Sequence, residues 1–179
     1  ATKLTLVLSG ACWGSADGLA KIDPKDIADD NMLWSFHSYD PFILTHQGAT
    51  WAGDFMPYVY GLPFPPHEAP EAEFGAVLDQ IRARIGSDAP KASRKGHLAY
   101  FDEEIAKIDT KEGLANAMEK PFALVADWAK ANGVDPVDIL LGEFGMIRQE
   151  YGNPRVVPAE DRQAFYSAQI NRAEHHGFR

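Results

Sequence analysis

The chain has 179 residues, 45% of them hydrophobic and 24% charged, with a net charge of −9. That composition fits one globular domain with a sizeable core and argues against disorder. The acidic surface disfavours general affinity for nucleic acid or anionic membrane, no apolar run reaches the roughly 18 residues of a membrane span, and the single Cys12 excludes an internal disulfide.

Residues 1–8 are too short and too strand-like for a secretory leader. Residues 3–8, Lys-Leu-Thr-Leu-Val-Leu, predict a first strand, ended by Ser9-Gly10 and followed by a loop over Cys12-Trp13-Gly14-Ser15. Residues 21–30 are polar, with Pro24 opening a short helical turn. Met32 to His37 predicts a second strand. Alternation along it puts Ser35, His37 and Tyr39 on one face and Trp34 and Phe36 on the other. The bulky face should pack under helices, and the polar face should look onto whatever the strands surround. Residues 40–69 are rich in proline, glycine and aromatics and carry no period. A stretch of that length reads as a site-building loop, supplied with Phe42, His46, Gln47, Trp51, Asp54, Tyr58, Tyr60 and Phe64.

Pro70 opens a helix whose Phe74, Val77, Leu78, Ile81 and Ile85 share one face, with Gly86 as its stop. Residues 88–109 predict irregular structure, with a short extended piece at Leu98 to Tyr100. Thr110 caps a turn through Met118. Pro121 then begins a helix with Phe122, Val125, Ala126 and Ala129 inside and Asn132-Gly133 at its end. Ile139-Leu140-Leu141, between Pro136 and Gly142, predicts a strand buried on both faces. Pro158, Glu160 and Asp161 start a last helix, with Phe165, Ile170 and Ala173 buried; Gly177 closes it and Phe178-Arg179 begins a further extended piece. Strands alternating with helices predict an α/β fold with a parallel sheet. Trp34 and Trp128 read as core. His37, His46, His67 and His97 lack the close spacing of a metal site, so neither a metal nor another cofactor is expected.

Glu143 ends the third strand, between Gly142 and Phe144-Gly145. Ligands bind at the C-terminal ends of strands in α/β sheets. A bare carboxylate costs several kcal/mol to bury, so Glu143 should face a polar cleft or have partners. The plainer alternative is an ordinary loop glutamate.

The run His37-Ser38-Tyr39-Asp40-Pro41-Phe42, then Thr45-His46-Gln47-Gly48-Ala49 and Trp51, and far downstream Gly142-Glu143-Phe144-Gly145, resembles glycoside hydrolase family 5, the cellulase family, in order and spacing. Ser9-Gly10 with Trp13-Gly14 is similar to that family's strand-five region. The likeness covers essentially the whole chain. It implies a (β/α)8 TIM barrel, a fold of about 250 residues, present here as an incomplete barrel of about strands 5 to 7 with their helices. Residues 1–179 would then be the C-terminal part of a single glycoside hydrolase catalytic domain. The resemblance also implies a retaining, endo-β-1,4-glucanase-like enzyme that cleaves β-linked polysaccharide with two carboxyl groups roughly 5 Å apart. By the motif match Glu143 looks like the nucleophile and Tyr39 like its hydrogen-bond partner. His37 would hold a substrate hydroxyl or the acid/base. Trp13, His46 and Trp51 are the substrate-binding candidates, the tryptophans by stacking on sugar faces.

The family's acid/base is a glutamate in an Asn-Glu-Pro type run, and no Asn-Glu pair occurs here. This chain alone is therefore expected to lack the acid/base Glu. The expected partners are a β-linked polysaccharide or oligosaccharide and the missing half of the barrel, as another chain or segment, with no nucleic acid and no membrane. A polymeric substrate implies an extracellular or periplasmic location. A non-catalytic carbohydrate-binding half-barrel, keeping the aromatic cleft without the acid, is the alternative from a different class. Glucan and mannan both fit the scaffold, with the loop's likeness leaning to β-1,4-glucan.

Overall fold

The computed structural model describes residues 4–27, 29 and 31–179. Strands alternate with helices in the order β1 (Leu6–Ser9), the single turn α1 (Ala11–Gly14), α2 (Ala16–Leu19), β2 (Met32–Ser38), α3 (Phe42–Thr45), α4 (Glu71–Asp88), α5 (Arg94–Ala106), α6 (Lys111–Asn132), β3 (Ile139–Phe144) and α7 (Ala159–His175). Among the described residues the strands form one open, all-parallel sheet in the order β1-β2-β3. The chain divides into two compact units. One is built from residues up to Tyr39, Met118–Phe144 and Tyr166–Arg179, the other from Asp40–Ala117 and Gly145–Phe165.

The first unit holds the sheet. As the alternation of β2 predicts, Trp34 and Phe36 turn to the core. Trp34 meets Trp128 edge to face at 5.3 Å, and Phe36 meets Phe122 and Phe178 at 5.3 and 5.8 Å. Side chains of this size contribute about 1.5–3 kcal/mol each when fully buried. The Trp128 indole N–H donates to the Ile22 carbonyl at 2.9 Å, which satisfies its one polar atom. β3 is closed on one face rather than two: Ile139 and Leu141 are buried, but Leu140 is only half-buried. Helix α6 stops at the expected glycine. Gly133 takes φ +69 and the Val134 N–H returns to the Ala129 carbonyl at 3.0 Å, closing off the last turn. Arg179 pairs with β3, its N–H on the Ile139 carbonyl and its carbonyl accepting from Leu141, both at 2.8 Å.

Several boundaries differ from the sequence reading. β1 begins at Leu6; Leu4 and Thr5 precede it, and Lys3 lies outside the described residues. Gly86 sits inside α4, which runs to Asp88. The stop comes from Pro90, because a residue ahead of proline is pushed out of the helical region, and Ala89 is extended at ψ 152°. Residues 94–106 are not irregular but form α5, with Phe101, Ile105 and then Ile108 buried. Thr110 caps as expected, its Oγ1 accepting from Gly113 N at 3.0 Å. The helix then continues through Pro121 rather than restarting there. Proline forfeits one backbone bond, and the burial of Phe122, Val125 and Ala129 offsets that loss. In α7 the inner stripe is Phe165, Gln169 and Ala173, whereas Ile170 is 44% exposed.

In the second unit, residues 40–69 are tied rather than loose. Gln47 acts as a staple: its Oε1 accepts from Leu62 N at 2.8 Å, and its Nε2 donates to the carbonyls of Leu62 and Leu44 at 2.9 and 3.1 Å.

Candidate active site

In strict register β3 would set Gly142 opposite His37 and send Glu143 to the far face with Leu141. The register instead shifts: Phe36 pairs with Leu141, and His37 with Glu143. Gly142 is the extra residue of a β-bulge, and the bulge turns Glu143 onto the face that carries His37. A Cβ at Gly142 would overlap Ser35 Oγ.

The result is a three-residue cluster at the C-terminal ends of β2 and β3. Tyr39 Oη donates to Glu143 Oε2 at 3.1 Å, and His37 Nδ1 lies 3.3 Å from the same oxygen. Both contacts fall on the same carboxylate oxygen. Oε1 receives no donor among the described residues, so one carboxylate oxygen is held and the other is presented. The Glu143 side chain is 57% exposed and that of His37 18%. The carboxylate thus has partners and also faces open space. Burial, and then the hydrogen bond to Glu143 and its charge, raise the Tyr39 phenol above its ordinary value, which keeps it a proton donor at neutral pH.

Trp13 belongs to the same unit and is no core residue, being 93% exposed. It stands on a turn in which Cys12 and Trp13 take the left-handed φ values +56 and +55. That conformation costs about 1–2 kcal/mol per non-glycine residue, and strain of this sort collects at functional sites. The next residue, Gly14, lies against the His37 ring.

His46 and Trp51 come together in the second unit. The His46 ring stacks on Phe42 at 3.7 Å and meets Trp51 edge-on at 5.2 Å, with Nδ1 2.9 Å from Thr45 Oγ1. His46 is buried, and burial lowers its pKa to about 4, so it is a neutral support. Trp51, 68% exposed, and Phe42, 43% exposed, are the surfaces on display. Sequence reasoning missed the parts played by Gly14 and Gly142. A signal existed for the second, since an isolated glycine inside a strand pattern marks a bulge. Among the described residues no group of His, Cys, Asp and Glu side chains is placed to hold a metal ion.

Over 146 residues, 82% of its length, the chain is 29% identical to Endoglucanase 3 of Fibrobacter succinogenes. The chain is a relative of the cellulase-type endoglucanases. Endoglucanase C of Acetivibrio thermocellus is 37% identical over 60 residues, 34% of this chain. The chain spans 19% and 17% of the length of these two relatives. Among solved structures, an endoglucanase superposes with a TM-score of 0.51 at 24% identity, covering 97% of this chain and 38% of its own. The cellulose synthase subunit Z of Clostridioides difficile superposes with a TM-score of 0.54 at 19% identity, covering 97% of this chain and 39% of its own. At these identities the structural likeness to the endoglucanase-type barrel speaks for the fold alone. No protein-family model matches the chain.

Proposed function

We propose that this chain carries the nucleophile side of a retaining β-glycanase centre, and that the protein containing it cleaves β-1,4-linked glucan. The carrying observation is that Tyr39 Oη and His37 Nδ1 both address Oε2 of Glu143 at the mouth of a parallel sheet, leaving Oε1 open. In this reading Glu143 Oε1 attacks the anomeric carbon as the glycosidic C–O bond breaks and the leaving oxygen takes a proton from the acid/base glutamate; water, giving a proton back to that glutamate, then displaces Glu143 from the covalent glycosyl-enzyme. Tyr39 orients the nucleophile through its hydrogen bond to Oε2. His37 positions a substrate hydroxyl or the acid/base. Trp13 and Trp51 offer ring faces to sugars, with His46 fixing Trp51 from behind. The acid/base glutamate lies outside these 179 residues, within the complete eight-stranded barrel. A polymeric substrate sets the reaction outside the cytoplasm, in an extracellular or periplasmic space.

The test is Glu143→Gln in the complete protein, assayed by reducing-sugar release from carboxymethyl-cellulose. Loss of a central catalytic group costs on the order of 10⁴-fold in rate, and far-ultraviolet circular dichroism should stay unchanged. Glu143→Ala with added azide should restore bond cleavage and yield a glycosyl azide of inverted configuration, because the anion attacks from the side the carboxylate has vacated. Undiminished turnover by Glu143→Gln removes the nucleophile assignment.

A further inference from the structure

The imidazole of His37 has a soft second side-chain torsion, so something other than its own rotamer must aim Nδ1 at Glu143. Two glycine backbones lie against it. A Cβ built on Gly14 would stand 2.7 Å from Cε1, 2.8 Å from Nδ1 and 2.9 Å from Nε2 of His37. Near-equal distances to three ring atoms put the Gly14 backbone against the ring face. A Cβ on Gly142 would stand 3.4 Å from Cδ2 and 3.5 Å from Nε2, so that glycine borders the Cδ2–Nε2 edge. The backbone bridge between Ser15 and His37 fixes the distance between the turn and β2. We propose that the Gly14 backbone, close against the ring face, holds the His37 imidazole with Nδ1 on Glu143, which makes Gly14 a positioning residue of the site; at Gly142 even a Cβ would reach only ordinary contact with the ring. The catalytic meaning of this hold rests on Glu143 as nucleophile, but the geometry can be read without any substrate.

Gly14 has φ +71, so a side chain there would be strained even with open space around it. Gly133 separates the two effects. It has φ +69, and a Cβ on it would meet nothing within 4 Å. Gly142 offers a second separation, because the atom its Cβ would overlap is Ser35 Oγ and that atom can be deleted.

The experiment is nitrogen NMR of imidazole-labelled 179-residue chain at neutral pH. With six histidines, the His37 signals are assigned by their loss in His37→Gln. A neutral imidazole facing a carboxylate through Nδ1 carries its proton there. The wild type and Gly133→Ala should show the Nδ1–H tautomer at His37. Gly14→Ala should lose that preference, whereas Gly142→Ala with Ser35→Ala, whose new methyl meets the ring only at van der Waals distance, should keep it. A folded Gly14→Ala that keeps the Nδ1–H tautomer overturns the proposal, as does its loss in Gly133→Ala. If Gly14→Ala does not fold, Gly14→Asn, which tolerates a left-handed φ, decides in its place: a folded Gly14→Asn that keeps the Nδ1–H tautomer overturns the proposal. No outcome depends on turnover, so failure here is distinguishable from failure of the nucleophile assignment.

Discussion

His46 shows how a buried residue can support exposed rings without being on display itself. Burial among Phe42, Thr45 and Trp51 lowers its pKa from the ordinary 6.5 to about 4. The native state therefore binds its proton less readily than the unfolded chain does. With the folded value depressed, the stabilising contribution is complete above pH 6.5 and is lost as pH falls toward 4. Carboxylates titrate near the lower end of this window, so the useful quantity is a difference. The gap in urea midpoint between the wild type and His46→Gln should narrow steadily from pH 7 to pH 4.5. A gap of constant size would show that the imidazole is equally free to protonate in both states. Tyr39 illustrates the opposite case. Its raised pKa comes from burial and from Glu143, so its phenol stays protonated and its hydrogen bond persists across the range in which a carboxylate nucleophile works.

At the scale of the element, α7 carries a stripe that hydropathy cannot read. Phe165, Gln169 and Ala173 stand four residues apart, and all three are buried. Neither amide atom of Gln169 has a hydrogen-bond partner among the described residues. Burying an unpaired amide costs about 1–3 kcal/mol on the scale of protein mutations. Gln169→Met, of similar length and shape, should therefore raise stability by about 1–2 kcal/mol, seen as a higher urea midpoint with an unchanged slope. A lower midpoint would mean that the amide is satisfied after all. The same stripe explains why the sequence put Ile170 inside: an apolar residue next to a buried glutamine draws the helical phase one position off. α5 was hidden for a related reason, since its buried Phe101 and Ile105 are diluted by Lys95, His97, Asp102, Glu103 and Glu104. β2 and β3 were legible because their apolar runs are short and undiluted. The cluster of Glu143, His37 and Tyr39 was legible as a motif. The bulge that unites it was not, because strict alternation places Glu143 on the wrong face and only the register at Gly142 corrects it.

At the scale of the molecule, the sheet is open. Among the described residues β1 has β2 as its only strand neighbour, and its residues are poorly covered: Leu6 is 48% and Val7 57% exposed, with Leu4 ahead of them at 82%. Parallel sheets usually have both faces covered, and an exposed apolar edge strand is a template for pairing. The curated relatives are much longer chains, of which this one spans less than a fifth. Studied as these 179 residues, the chain should therefore self-associate through β1. The net charge of −9 opposes that association. Screening shortens the reach of the repulsion to about 8 Å near physiological salt, while apolar burial is not weakened. Association should thus strengthen as salt rises from about 20 to about 500 mM, opposite to the trend of a charge-driven contact. Sedimentation velocity across a hundredfold range of concentration measures it. Leu6→Lys with Val7→Glu should return the chain to a monomer at both salts, without change in helical circular dichroism. A wild-type monomer throughout would mean that β1 is covered from within. Association unaffected by the double change would place the contact elsewhere on the surface.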